Sequence, residues 1–281
     1  MPLTTVPAPG SLPFLHHLEQ ESARFRAALA AAPAAAPVPS CPDWDADDLI
    51  WHLAEVQWFW GQIAQDQLTR GEQLADLDAI RPSRPDDRAG LLIHYDEAST
   101  RLHRVLADLP PETELWMWAS DHTAGYIQRR QAHEALIHRI DAELTAGVDR
   151  APIDSRLAAD GVDEALRIMR CYEDEDGFTA TPTGPPVTIL AIDVGRAWTV
   201  RPVHVLGVDG RGTSWDEQRF LVLADNTHAA RSTDQGPAQV RGSAADLDCW
   251  LWNRPPTGSL ERQGDPAALA SIDAVVTGPI S

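Results

Sequence analysis

QAHEALIHRIDAE, residues 131–143, has a helical period but too many polar residues for a plain core helix. His133, Ile137, Ile140 and Leu144 recur at spacings of four, three and four, which lays them along one stripe. Glu134, His138 and Asp141 stand at i, i+4 and i+7 and stack on a single face, about 100° round from the Ile137 stripe. A face at the edge of an apolar seam admits two readings. It is a solvated surface with i,i+4 ion pairs such as Arg130–Glu134, or it is a set of ligands turned inward to a metal. The pattern E-x-x-x-H is by itself a weak signal, so the rest of the chain has to separate the two.

Three more segments of the N-terminal half keep such a seam. They run through Leu15, Leu18, Phe25 and Leu29; through Leu49, Leu53, Val56, Trp60 and Ile63; and through Leu91, Tyr95, Ala98, Leu102, Val105 and Leu109. This spacing is the signature of helices packed in a bundle. Between the first two, AAAPAAAPVPSCPDW holds Pro33, Pro37, Pro39 and Pro42, which stop a helix and favour an extended linker. Asp43 or Asp45 is placed to cap the second helix. After RPSRPDDRAG, Asp86 or Asp87 is placed to cap the third, which LPPETELW closes. Gly147 stands where a helix-terminating glycine belongs after the fourth. Residues 1–150 therefore read as a four-helix bundle.

Beyond it the pattern changes. A helix near Ile153 to Cys171 leads into EDEDGFTATPTGPP, an acidic, Pro/Gly-rich connection. VTILAIDV, AWTVRPVHVLGV, RFLVLAD and QVRG read as strands, with Gly-Arg and Asp-Gly turn signals between them. Ala244–Trp252 and Ala267–Val275 read as helices. The expected class is α plus α+β, with a helical domain over residues 1–175 and a small α/β domain over 176–281.

A net charge of −19 and a pI near 4.7 make the surface strongly acidic. Such a surface repels phosphate backbones and anionic bilayers, so neither nucleic acid nor a membrane is an expected partner. No apolar run approaches the roughly 18 residues that span a bilayer. The N-terminal MPLTTVPAPGSLPF lacks the basic and apolar regions of a signal peptide. The three cysteines, Cys41, Cys171 and Cys249, are odd in number and far apart, which argues against a disulfide framework. A cytoplasmic monomer or homodimer is expected. Ten tryptophans is a high count; Trp58, Trp60, Trp116 and Trp118 are assigned to core packing ahead of pocket lining.

Two ligands on one helix do not make a site. The second helix supplies His52, in DDLIWHLAEV, beside Leu53 and on the face of Val56 and Phe59, directed toward the bundle. His52, Glu134 and His138 would form a His2Glu set, the three-ligand type of a catalytic zinc with one position open. Asp141, one turn beyond His138, is placed to accept the free imidazole N–H and fix the tautomer. The competing reading makes each a core histidine with a hydrogen bond, and His133, on the seam itself, competes as a ligand.

WDADDLIWHLA, then RRQAHEALIHRIDAE, then AADLDCWLWNR with a later Gly-Asp, resemble the DinB-like, mycothiol-dependent maleylpyruvate isomerase family. The resemblance implies a metal-binding four-helix bundle followed by a small sterol-carrier-like α/β domain. It implies zinc or another divalent metal on His52, Glu134 and His138, and mycothiol as co-substrate. It also implies a catalytic arginine at Arg254, in LWNRPP, which is otherwise a surface arginine after a helix. A zinc-bound thiol loses its proton near neutral pH, and the thiolate is a strong nucleophile held at fixed geometry.

A thiolate of that kind either adds to an activated double bond and allows isomerisation, or displaces a leaving group and stays in the product. The expected function is thus a thiol transferase or isomerase acting on a small electrophilic metabolite. The Ala/Pro insert, the connection QDQLTRGEQLADLDAIRPSRPDD and the extended C-terminal domain depart from the isomerase proper, and loops of this kind shape a substrate pocket. Two alternatives remain. One is a small-ligand-binding protein whose metal is structural and closed by a fourth protein ligand. The other is a metal-dependent hydrolase with Glu55 or Asp141 as base.

Overall fold

The computed structural model describes residues 12–172, 177–208, 212–226 and 238–278. The Asp209-Gly210 turn signal, the acidic run at 173–176 and most of the N-terminal stretch read for a leader lie outside the described residues. Contacts divide the chain into two units, Met1–Ala151 and Pro152–Ser281.

The first unit contains α1 (Phe14–Ala31), α2 (Ala46–Asp66), a short α3 (Leu74–Ile80), α4 (Arg88–Asp108) and α5 (Ala124–Ala146). The four long helices carry the four seams of the sequence. α1 packs on α5 and α2 on α4, and contacts between α2 and α5 and between α1 and α4 close the bundle. Phe25, Leu29, Leu49, Leu53, Leu91 and Tyr95 fill one part of its interior, and Leu18, Trp60, Ile63, Leu102 and Leu106 another. Side chains of this size each gain about 1.5–3 kcal/mol from burial. Trp58 and Trp60 are core residues and Trp116 stacks on Trp60 with ring centroids 5.9 Å apart, whereas Trp118 is exposed.

The helix ends follow the expected chemistry. Asp45 caps α2, accepting from the backbone N–H of Asp47 and Asp48, while Asp48 returns a bond to the Asp45 N–H. Asp87 caps α4 and Thr123 caps α5. Gly147 ends α5 with φ of +65°, a left-handed conformation that glycine adopts without a Cβ penalty.

Two features of this unit differ from the sequence reading. The Ala/Pro stretch is not an extended linker. It folds back on itself, with Pro37 bridged to Asp45, and the N–H groups of Val38 and Ala46 bonded to Trp44 O and Ala36 O. The prolines stop the helix as expected, but their fixed φ suits turns as well as extended chain. The second feature is α5. It is buried on nearly every side from Tyr126 to Glu143, polar residues included: Arg130, Gln131, His133, His138, Arg139, Asp141 and Glu143 are all buried.

The second unit opens with α6 (Ser155–Glu164), which continues into a π-helical turn at Ala165–Met169 and packs on a later helix of the same unit. That packing places it in this unit, although a boundary at 175 counts it with the bundle. Six strands form one mixed sheet: β1 (Phe178–Pro182), β2 (Val187–Ala191), β3 (Arg196–Val208), β4 (Ser214–Asn226), β5 (Ala238–Gly242) and β6 (Glu261–Gly264). β4 runs antiparallel along nearly all of β3, while β1 and β2 pair with its two halves. β2 and β5 are parallel, and β6 closes antiparallel on β5. Trp198 and Phe220 are fully buried, and the Trp198 indole N–H donates to Asp163 Oδ1 at 3.0 Å. The helices α7 (Ala244–Leu251), on which α6 packs, and α8 (Pro266–Val276) complete the unit. The structure thus has a helical N-terminal part and an α/β C-terminal part. No disulfide joins Cys41, Cys171 and Cys249. Among the described residues no helix is long and apolar enough to cross a membrane.

Candidate metal centre

α2 and α5 face each other in the bundle, and their contact brings together the three residues that the sequence had set on two separate helices. His52 Nε2 lies 3.1 Å from His138 Nε2 and 3.5 Å from Glu134 Oε1, and His138 Nε2 lies 3.2 Å from that same oxygen. Two imidazole nitrogens and a carboxylate oxygen thus converge from three side chains. Tetrahedral bonds of about 2.0–2.1 Å hold their donor atoms about 3.4 Å apart. The three edges of this triangle match that spacing, and its donor types suit a borderline-soft divalent cation. The residues present therefore fit the zinc that the sequence resemblance implies, and among the described residues they are the group of this kind.

The surroundings orient the donors. His138 Nδ1–H donates to Asp141 Oδ2 at 3.0 Å, which directs the lone pair of Nε2 at the other two residues. Asp141 is fully buried, and its second oxygen accepts from the Ser40 hydroxyl. The Glu134 oxygen turned away from the histidines, Oε2, accepts from Arg130 Nη2, so this i,i+4 pair is a buried ion pair and not a solvated one. The Trp44 ring lies against His52 with centroids 4.7 Å apart and 6.3 Å from the His138 ring. The side chain of His138 is 10% exposed and that of His52 33%, so the cluster faces solvent on the α2 side.

Burial favours neutral forms here, and the local charges overcome it. Desolvation opposes ionisation of Glu134, but the Arg130 guanidinium and hydrogen bonds from His138 and His52 hold its carboxyl well below the usual range. Desolvation likewise works against a charged His138, but hydrogen bonds to Asp141 and Glu134 and their charges raise its pKa to about 9. Without a cation, a proton is what reconciles the converging donor atoms.

His133 does not join the cluster; its ring packs edge-on against Phe14 at 6.1 Å. Glu55, read as a hydrolase base, pairs with Arg81 at 3.4 Å, and Asp141, the other candidate, is engaged by His138 and Ser40. Arg254 follows α7 in the second unit, where its guanidinium donates to Trp252 O at 2.7 Å. Three side chains that build the cluster were not assigned to it from the sequence. Arg130 was visible as an i,i+4 partner of Glu134, but only its burial shows which of two roles it has. Ser40 and Trp44 reach the site through the folded-back loop, and no local pattern in SCPDWD connects that loop to α5.

Residues 15–143 match the family described as the mycothiol maleylpyruvate isomerase N-terminal domain. Two solved structures share the fold: a mycothiol-dependent maleylpyruvate isomerase and a histidine-to-alanine mutant of such an enzyme. Each is 14% identical to this chain and covers 90% of it and 95% of itself, with TM-scores of 0.54 and 0.56 respectively. No curated protein matches the chain at a significant level. The family match covers the helical unit, residues 15–143 of the 281.

Proposed function

We propose that the chain binds a divalent metal, zinc by preference, on His52, Glu134 and His138, and uses it with mycothiol to act on a small electrophilic metabolite as an S-transferase or isomerase. The observation that carries this reading is the convergence of three donor atoms within 3.1–3.5 Å at a solvent-facing edge of the bundle. A cation there supplies Lewis acidity, which lowers the pKa of a thiol and makes the nucleophilic thiolate available at neutral pH.

The protein's own residues supply the rest. Asp141 holds the His138 proton on Nδ1 and keeps Nε2 a donor atom. Trp44 covers one flank of the two imidazoles and limits water there. The half-exposed side of His52 is the route by which thiol and electrophile arrive. Three protein ligands would leave a fourth position of a bound cation to an exogenous ligand, as catalytic zinc sites do. Arg254 is assigned to the same reaction as its catalytic arginine, on the sequence resemblance alone. Use of a low-molecular-weight thiol fits the reducing cytoplasm.

The test is to load the protein with Zn2+, add mycothiol and a panel of small electrophiles that includes cis-configured unsaturated diacids, and follow thiol and electrophile by mass spectrometry. The expected result is an S-conjugate or an isomerised product whose formation stops with a chelator and in Glu134→Gln. A metal-loaded protein that leaves both reactants at the buffer rate overturns the enzymatic reading and favours a ligand-binding role.

A further inference from the structure

The two oxygens of Glu134 are committed to different partners. Oε1 lies 3.2 Å from His138 Nε2 and 3.5 Å from His52 Nε2, on the donor side of the cluster. Oε2 is taken by Arg130, one turn earlier on α5. Arg130 is 6% exposed, so water competes little for this pair. A carboxylate free at both oxygens readily binds a cation through two atoms and fills an extra coordination position. One whose second oxygen is engaged by a guanidinium is left with one oxygen to offer.

We propose that Arg130 is a positioning residue that keeps Glu134 a one-oxygen ligand. The protein then supplies three donor atoms and leaves the last tetrahedral position to an exogenous ligand. This deepens the metal reading above and rests on it. A second consequence is electrostatic. Arg130 offsets the carboxylate charge, so a bound divalent cation keeps more of its own charge to polarise whatever else it holds. Histidine ligands alone would do the same with less affinity. An unpaired glutamate would bind more tightly but would fill and neutralise the site. The buried i,i+4 pair combines an anionic ligand with an open, still electrophilic cation.

The experiment uses Co2+ as the probe metal, because its visible absorption is intense when four-coordinate and weak when five- or six-coordinate. The full chain and its Arg130→Met variant are loaded and their spectra compared at equal bound metal. The expected result is an intense spectrum in the wild type and a several-fold weaker one in Arg130→Met, as Oε2 joins the coordination. A variant spectrum that superimposes on the wild-type one overturns the proposal. If Arg130→Met does not fold, the wild-type spectrum decides: intense bands support the one-oxygen ligand, and weak bands overturn it. A wild-type chain that takes up no Co2+ overturns the metal reading itself, and this proposal with it. Uptake with the wrong spectrum removes only the role of Arg130.

Discussion

Two neighbouring side chains of α5, His138 and Arg139, enter two buried polar clusters of opposite design. Arg139 is fully buried and lies between two carboxylates, donating to Glu21 Oε2 and Glu143 Oε2 at 2.7 Å each. Arg24 takes the other oxygen of Glu21, and Glu143 also accepts from the Ala151 N–H. Two arginines meet two glutamates, so the cluster is balanced by protein groups alone. Around His138 the balance depends on a proton held by His138. Asp141 and Arg130 engage the outer atoms of His138 and Glu134, and the inner atoms point at one another with His52. In the first cluster every carboxylate oxygen meets a donor of the protein's own, whereas around His138 two ring nitrogens and a carboxylate oxygen converge. Burial alone does not tell the two apart, since both lie on the same buried helix.

The sharpest way to break this comparison is Arg139→Met. It leaves Glu21 and Glu143 as buried carboxylates short of a cation, and losses of about 3–5 kcal/mol follow from breaking such pairs. Urea denaturation is expected to show that loss equally with and without added Zn2+. A variant of wild-type stability would contradict the structural assignment. His138→Ala is expected to do the reverse. Competition with a chromophoric chelator should show metal affinity falling by more than the roughly 10–100-fold that an outer-sphere change costs. Retention of wild-type affinity would remove His138 from the ligand set.

Asp141→Asn keeps the shape but weakens the hold on the His138 tautomer, and the expected cost is that same factor of about 10–100 in metal affinity. An unchanged affinity would show that Asp141 is only a packing residue. Ser40→Ala is expected to have the smallest effect, about 1 kcal/mol of stability from one lost hydrogen bond and a metal affinity within a few-fold of wild type. A larger loss of affinity than Asp141→Asn would mean that the loop does more than brace Asp141.

The bundle was legible because its information is periodic. The seams through Leu49–Ile63 and Leu91–Leu109 repeat often enough to define helices, and Asp45, Asp87 and Gly147 then fix their ends. The pairing of His52 with Glu134 and His138 was legible for the same reason, since each lies at a seam edge. What α5 buries was not. Arg139 and Glu143 are polar at positions that periodicity assigns to surface, and a distant partner, Glu21 on α1, accounts for their burial. β1 lay in a segment read as connection, because FTATP is short and its sheet position comes from β3. β6, ERQG, is exposed throughout and carries no alternation to read. The bonds that fold residues 32–45 back toward α2 pair backbone groups within the loop, and a proline count does not encode them.

The most direct test of the central claim is the metal content of protein purified without an affinity-metal column, measured beside His52→Ala. The side chain of His52 is a third exposed, so its loss costs the fold little. With His52, Glu134 and His138 as ligands, the expected result is about one tightly held divalent ion per chain, lost in the variant while its unfolding midpoint in chelator stays close to wild type. No metal in either protein, or equal metal in both, would contradict a ligand set spanning α2 and α5.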